Sequence, residues 1–254
     1  MLYRYQSDFS QNHKELFRFQ EREQKAKKII AVLKDYFQQD LSYIKNLNLL
    51  DIGSSTGIMT HLLSKYFAVT IGIDIDEEAV KFSKEKFENK NLHFYLQDAM
   101  KMDFTDNSFD VVTCAHIYEH VPDSHRLMKE IYRVLKPGGI CFFSAGNRFV
   151  FMEAHYKLPL LSVMPKFLAH KYIKIFKKAE FYYETHLTYW GLKKLVKEFE
   201  IVDYTKRVIK EPAFFYATDM IKDNSNIKYV YLFILMIAYW LCPTYIRILK
   251  KLKS

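Results

Sequence analysis

The stretch that most constrains this chain is Leu47-Asn48-Leu49-Leu50-Asp51-Ile52-Gly53-Ser54-Ser55-Thr56-Gly57. A short apolar run meets an acid and breaks into Gly, Ser and Thr; Ile58, Met59, Leu62, Leu63 and Tyr66 then fall at helical spacing. The pattern predicts strand, tight loop and helix. Gly53 and Gly57 lack a Cβ, so the chain can turn sharply there and a ligand can lie against the backbone. The helix that follows presents free N–H groups and the positive end of its dipole to that ligand. Phosphate-binding loops carry Lys before Ser/Thr or G-x-G-x-x-G spacing. Here the glycines are four apart and the loop has no Lys. Asp51 at the strand end would repel a phosphate and suits an ammonium group. An ordinary strand-to-helix turn is the competing reading of this stretch taken alone.

The next segments extend the pattern. Val69 to Asp76 is a second apolar strand ending in acids, and Asp74 lies 17 residues past Gly57, near the ~20-residue offset at which an acid takes ribose hydroxyls. Leu92 to Ala99 reads as a third strand and Ser108 to Ala115 as a fourth. A helix through Ile131 to Leu135, a turn at Lys136-Pro137-Gly138-Gly139 and a fifth strand from Ile140 to Ser144 follow. Strands alternating with helices predict a parallel sheet covered on both faces. Ligands of such sheets bind beyond the carboxyl ends of the strands, which places Gly53, Asp74, Asp98 and Ala115 around one crevice.

In this order, over about 100 residues from Leu47 to Asn147, these segments resemble the motifs of the class I S-adenosyl-L-methionine-dependent methyltransferases. Ser55 stands where the family's loop often has its middle glycine. After the fourth strand, Glu119-His120-Val121-Pro122-Asp123 matches the family's Leu-Glu-His-Val-Pro-Asp string, and Tyr118 departs from it. The resemblance implies an α/β fold: a doubly wound, seven-stranded, mostly parallel sheet of order 3-2-1-4-5-7-6 with helical insertions. It implies S-adenosyl-L-methionine as cofactor and methyl transfer as activity. The backbone of Gly53, Ser54, Ser55 and Gly57 would then approach the amino-acid part of the cofactor. Asp51 would lie nearby for its ammonium or for the loop's own N–H groups. Asp74, with Ile75 beside it, would take the ribose hydroxyls. Asp98 would accept from the adenine amino group, Ala99 and Met100 would lie against the ring, and Ala115 would border the site. A helix N-cap is the competing reading of Asp98.

Outside this region the expectations come from pattern and charge. Residues 1–46 form an N-terminal helical cap, with one amphipathic helix from about His13 to Gln38 and a possible lid at Tyr3, Tyr5 or Phe9. Arg18, Arg22, Lys25, Lys27 and Lys28 are either anion contacts or a solvated face. Residues 47–254 are one Rossmann-like domain with insertions at about 148–184 and 210–243. The net charge of +9 admits nucleic acid, anionic lipid or an acidic substrate without choosing among them. Cys114, Cys141 and Cys242 have no metal-site spacing and read as reduced thiols of a cytosolic compartment. No apolar signal region opens the chain.

The acceptor site is expected near His116, Glu119 and His120, and in the first insertion near Glu153 and His155. The string Asn147-Arg148 to Glu153, His155 and Pro159 resembles glycan- and lipid-modifying methyltransferases. Quinone-precursor O-methyltransferases are similar in having Glu-His near the acceptor. His is the usual base for a hydroxyl, so His155, His120 and His116, with Glu153, are the catalytic candidates. A loop-holding pair and a satisfied buried His are the competing readings. His116, Glu119 and His120 with a later His have the donor types for a divalent cation, but the expectation is a site without metal. Lys166, Lys171, Lys174, Lys177 and Lys178, interleaved with apolar residues, suit an anionic membrane surface.

Thr188 to Phe199 reads as a helix and Glu200 to Val208 as a sixth strand. Tyr229 to Leu241 is the most apolar segment, but 13 helical residues rise only about 20 Å against a hydrocarbon core of about 30 Å. It reads as a buried or interfacial helix, packed with the Phe151–Phe176 insertion, before a last strand from Thr244 to Leu249. The function expected is methyl transfer, as an O-methylation, to a small-molecule, glycan or lipid-linked acceptor, in the cytoplasm or at the inner face of a membrane. The alternatives are a quinone-precursor O- or C-methyltransferase, an RNA methyltransferase favoured by charge alone, or a cofactor-binding membrane-associated protein without turnover.

Overall fold

A computed structural model describes Ser10 and residues 14–223 and 225–253. Seven strands form one sheet: β1 (Asn48–Ile52), β2 (Val69–Asp74), β3 (Leu92–Leu96), β4 (Phe109–Ala115), β5 (Leu135–Gly146), β6 (Glu200–Asp203) and β7 (Thr244–Lys250). Their spatial order is β3-β2-β1-β4-β5-β7-β6, the order implied by the motifs. β1 to β5 pair in parallel, and β7 runs antiparallel between β5 and β6. Leu49, Leu50, Val111, Val112 and Phe143 are fully buried, as the near-continuous apolar runs of a two-sided sheet require.

The helices include α1 (Phe19–Tyr36), α2 (Leu41–Ile44), α3 (Ile58–Ser64), α4 (Glu77–Phe87) and α5 (Ser124–Val134). After β5 come α6 (Lys166–Ile175), α7 (Tyr189–Leu195), α8 (Thr205–Lys210) and α9 (Ile227–Ile237). Helix α1 buries Ala26, Ile29, Ile30, Val32 and Leu33 and packs against α3. It starts later than its periodicity predicts, because Lys14–Phe17 forms a 3₁₀ turn and Arg18 is extended. The lid candidates Tyr3, Tyr5 and Phe9 lie outside the described residues.

Two expectations need correction. The sixth strand does not run to Val208. It ends at Asp203, whose Oδ1 accepts from Thr205 N at 2.9 Å and starts α8. Short polar side chains of this kind compete for the backbone and turn it into a helix. Nor is the helix α6 of the Phe151–Phe176 insertion the main neighbour of the apolar helix α9. Helix α9 lies along α8 and buries only Leu235. The link to the first insertion runs through Trp240, which meets Phe149 edge to face at 5.7 Å. No helix among the described residues is long and apolar enough to cross a membrane.

Candidate active site

The β1–α3 loop forms the first half of the site. Gly53 and Gly57 both have φ +72° and Ser55 has φ +49°, the left-handed region in which a residue other than glycine is strained. Gly53 N and Ser54 N both donate to Ile73 O, at 2.9 and 3.0 Å, which ties the loop to β2. Asp74 closes the same clasp. Its Oδ2 accepts from Ser55 N at 2.7 Å and its Oδ1 from Asp76 N at 2.9 Å. Burial pushes its carboxyl above the usual range. Ile75 is half-buried beside it.

Asp51 does not bond the loop amides. Its buried carboxylate accepts from Thr60 Oγ1 at 2.5 Å and Thr113 Oγ1 at 2.6 Å, so it joins α3 to β4. Burial outweighs those two bonds and pushes its pKa up to about 6. The folded state therefore holds the proton more tightly than the unfolded chain. The resulting stabilisation is full below about pH 4 and is lost as pH rises through about 6, by on the order of 3 kcal/mol. Asp51→Asn should flatten this fall in urea unfolding measured from about pH 4 to 7; a slope equal to wild type would place the carboxyl's titration in the ordinary range.

Asp98 turns the chain after β3, with Oδ1 accepting from Met100 N at 2.7 Å and its carbonyl from Lys101 N at 2.9 Å. Ala99 and Met100 pack on the main core, and half-buried Ala115 ends β4. Two residues that sequence reasoning did not place at the loop are also present. Arg22 of α1 lines a cavity of about 20 Å3 with Asp51, Gly53, Ser54, Ser55, Thr56, Ile58 and Met59. Ile117 covers the loop so closely that a Cβ on Gly53 would come within 2.1 Å of its Cδ1. Ser54 Oγ is buried in this wall without a hydrogen-bond partner. A strand-end carboxylate, a glycine turn and an orphan hydroxyl fit the ribose and amino-acid ends of S-adenosylmethionine. A molecule of that size needs Ile117 to move aside.

Ile117 leads directly into the second half of the site, past the ends of β4 and β5. His116 sits at φ +59°. Its Nδ1 is 3.2 Å from Glu119 Oε1 and its Nε2 is 3.0 Å from Ser144 Oγ. Both nitrogens are thus engaged, and the ring fixes the carboxylate. The His120 and His155 rings meet edge to face at 4.8 Å. Glu153 is fully buried, and its Oε2 accepts from the backbone N–H groups of His155 (2.9 Å) and Tyr156 (2.8 Å). It therefore shapes the turn that delivers His155.

Glu184 and His186, which sequence reasoning missed, complete the cluster. Glu184 Oε1 stands 3.9 Å from His120 Nδ1, and His186 Nδ1 is 3.2 Å from Tyr182 Oη. Their segment is fixed at three points. Lys166 Nζ donates to the carbonyls of Tyr182, Tyr183 and Glu184. Thr185 N donates to Glu119 O at 2.7 Å. Leu187 N donates to Tyr118 Oη at 3.1 Å, and Tyr118 Oη in turn donates to Gly146 O at 2.5 Å.

Burial drives these groups apart in charge. It pushes Glu184 up to about 8 and, with the neighbouring His120, pushes His155 down to about 3. Burial would raise Glu119 too, but the bond from His116 and the charges of His116, His120 and His186 outweigh it and hold Glu119 at about 2. Neighbouring acids and bases with such separated affinities are the usual equipment for moving a proton.

Comparison with known proteins agrees with this geometry. Residues 50–143 match the sequence profile described as a methyltransferase domain. The ubiquinone biosynthesis O-methyltransferase of Coxiella burnetii (strain Dugway 5J108-111) is 30% identical over 164 residues, which are 61% of this chain and 65% of that protein. The match thus spans just under two thirds of its length. The demethylmenaquinone methyltransferase of Staphylococcus aureus (strain MRSA252) is 33% identical over 172 residues, 65% of this chain and 71% of that protein. Among solved structures, an S-adenosylmethionine-dependent methyltransferase from Methanosarcina mazei superposes with a TM-score of 0.52 at 20% identity, covering 83% of this chain and 94% of that one. Its likeness concerns the fold alone. Sheet order, loop geometry and the extent of the Staphylococcus match converge: the chain belongs to the class I S-adenosylmethionine-dependent methyltransferases.

Proposed function

We propose that this chain methylates a phenolic hydroxyl on a small quinone-precursor molecule with an apolar tail, presented at an anionic membrane surface. The observation that carries this reading is the cluster of Glu119, His120 and His155 past the ends of β4 and β5, joined to the cofactor loop through Ile117. Bound S-adenosylmethionine supplies a methyl group on a sulfonium that leaves readily. The chain's tasks are alignment and proton transfer. Asp74 and the glycine loop fix the nucleoside, and Ile117 shields it from water. The acceptor's hydroxyl meets the imidazoles of His120 and His155; His120 takes its proton, while His116 and Glu119 position the turn that carries it.

The names of the Coxiella and Staphylococcus relatives support a quinone precursor, and a hydroxyl acceptor gives the imidazoles a proton to take. An apolar tail has surfaces to meet. Phe167, Ile175 and Phe176 on and after α6 are exposed, as are Ile227, Phe233 and Ile237 on α9. Lys171, Lys174, Lys177 and Lys178 lie among the former, so this surface is both apolar and basic.

The test is methyl transfer from S-adenosylmethionine labelled in its methyl group. Acceptors are a long-chain catechol in anionic vesicles, the same catechol in neutral vesicles, and a soluble sugar. Transfer to the catechol, faster on anionic vesicles, is expected. His120→Ala should lower the rate by about 10²- to 10⁴-fold, the share of general acid–base catalysis, without weakening cofactor binding. Transfer to the sugar alone, or a His120→Ala rate equal to wild type, would sink the reading.

A further inference from the structure

We infer that the stacked pair Trp190 and Trp240, with Phe149, forms a subsite for the hydrocarbon tail of the acceptor; this deepens the reading of the acceptor as a tailed phenol and rests on it. The pair comprises both tryptophans of the chain. Trp190 lies on α7, and Trp240 lies on the 3₁₀ turn Tyr239–Leu241. Their rings stack with centroids 5.7 Å apart and planes 29° apart, and Phe149 meets Trp240 edge to face. Trp190 is 57% exposed and Trp240 38%. Large rings grouped at the surface mark a place that another apolar body covers.

The place of the pair selects its occupant. Gly146, the last residue of β5, borders the acceptor cluster. Its carbonyl accepts from Tyr118 Oη, and a Cβ on it would lie 3.7 Å from Glu119 Oε1 and 3.2 Å from the His186 ring. The next residue, Asn147, is fully buried, and its Nδ2 donates to Trp240 O at 2.7 Å and to Cys242 O at 2.9 Å. The turn that carries Trp240 is thereby clamped to the end of β5. One buried residue links the acceptor cluster to the aromatic wall, and the turn itself follows α9, whose Phe233 and Ile237 are exposed. A ring seated at His120 can therefore send its tail over Phe149 and Trp240 toward α9.

The polar groups behind the rings favour a hydrocarbon over a sugar. Tyr239 Oη donates to Asp203 Oδ2 at 2.6 Å and Tyr245 Oη to Tyr239 O at 3.0 Å, while Asn147 Oδ1 accepts from Phe149 N at 3.3 Å. These groups are engaged with one another. A sugar on the rings would need them for its hydroxyls, whereas a hydrocarbon needs only the ring faces.

The experiment uses the full-length protein with S-adenosylmethionine, without vesicles, and catechols carrying a methyl, butyl or octyl chain below their aggregation concentration. Complete burial of a methylene gives about fourfold in affinity; a wall that covers one side of the tail gives about half that free energy, or about twofold. Octylcatechol should therefore have a KM at least about tenfold below that of butylcatechol, with kcat nearly the same. Trp190→Ala and Trp240→Ala should each remove most of that ratio. Because both tryptophans belong to the wall, tail contact can also be read directly. An octylcatechol brominated at the end of its chain should quench tryptophan emission saturably and beyond its unbrominated parent. Bromooctane, which has no ring to anchor it, should quench far less. No saturable quenching, equal quenching by bromooctane, or a chain-length ratio unchanged in the variants overturns the subsite. If Trp240→Ala no longer binds the cofactor, Trp190→Ala, at the more exposed ring, decides. Saturable quenching without methyl transfer to any catechol would overturn the functional reading and leave the subsite standing; transfer indifferent to chain length would do the reverse.

Discussion

Replacing Asp74 by Ala should weaken S-adenosylmethionine binding by at least about 100-fold in calorimetry, with the protein still folded. Hydrogen bonds to a charged group contribute about 1.5–3 kcal/mol each, so two bonds to a ribose diol amount to roughly 3–6 kcal/mol, and about 2.7 kcal/mol already gives the hundredfold. The carboxylate has a second task that increases the loss. It holds Ser55 N and Asp76 N, and thereby keeps Ser55 at positive φ in the glycine turn. Asp74→Asn retains one acceptor oxygen and should lose less, about tenfold. The two variants therefore form a graded series. A Kd within threefold of wild type for Asp74→Ala would remove Asp74 from the cofactor site and shift attention to Ser54 and Arg22, the other polar groups of that wall.

Asp74 drew attention in the sequence because an acid ends an apolar strand there, and in the fold its carboxylate accepts from Ser55 N and Asp76 N beside the glycine loop. The sheet order came with the resemblance: the motifs in their chain order point to the methyltransferase family, and that family's sheet has the order found here. Asp51 stood out in the sequence as a strand-end acid, but its burial and its contacts did not, because Thr60 and Thr113 stand 9 and 62 residues away and either could have pointed elsewhere. Ile117 looked like an ordinary apolar residue; only the turn after β4 brings it onto Gly53. Glu184 and His186 left no local signal. They enter the site because Lys166, Glu119 and Tyr118 pull an irregular segment across the sheet end, and no spacing rule encodes a segment fixed only by tertiary bonds. The sixth strand was overextended because Tyr204 to Val208 carries β-favouring residues, and tertiary context together with the bond from Thr205 N to Asp203 overrode that propensity.

That same Asp203 supports the largest stability prediction: Asp203→Ala should destabilise the fold by about 3 kcal/mol, lowering Tm by roughly 6–12 °C for a chain of this size. Arg247 lies on β7 with its side chain 2% exposed and its Nε 3.3 Å from Asp203 Oδ2. Its guanidinium faces the rings of Tyr245 at 4.8 Å and Tyr189 at 5.7 Å, and its Nη1 is buried without a hydrogen-bond partner. Removing one partner of a buried pair leaves a charge uncompensated, at about 3–5 kcal/mol. Asp203 is 35% exposed, which places the effect at the lower end. The carboxylate also accepts from Tyr239 Oη at 2.6 Å, so the loss should loosen the 3₁₀ turn Tyr239–Leu241 that joins α9 to β7. Adding Arg247→Leu to Asp203→Ala should restore most of the stability in urea unfolding, because an apolar side chain of similar reach removes the stranded charge. What remains is the loss of the Thr205 N–H bond to Asp203, about 1 kcal/mol. A single-variant loss below 1 kcal/mol would mean that the two tyrosine faces hold the guanidinium by themselves. The double variant would then be less stable than Asp203→Ala rather than more, so the sign of that one difference decides between the carboxylate and the rings as the partner of Arg247.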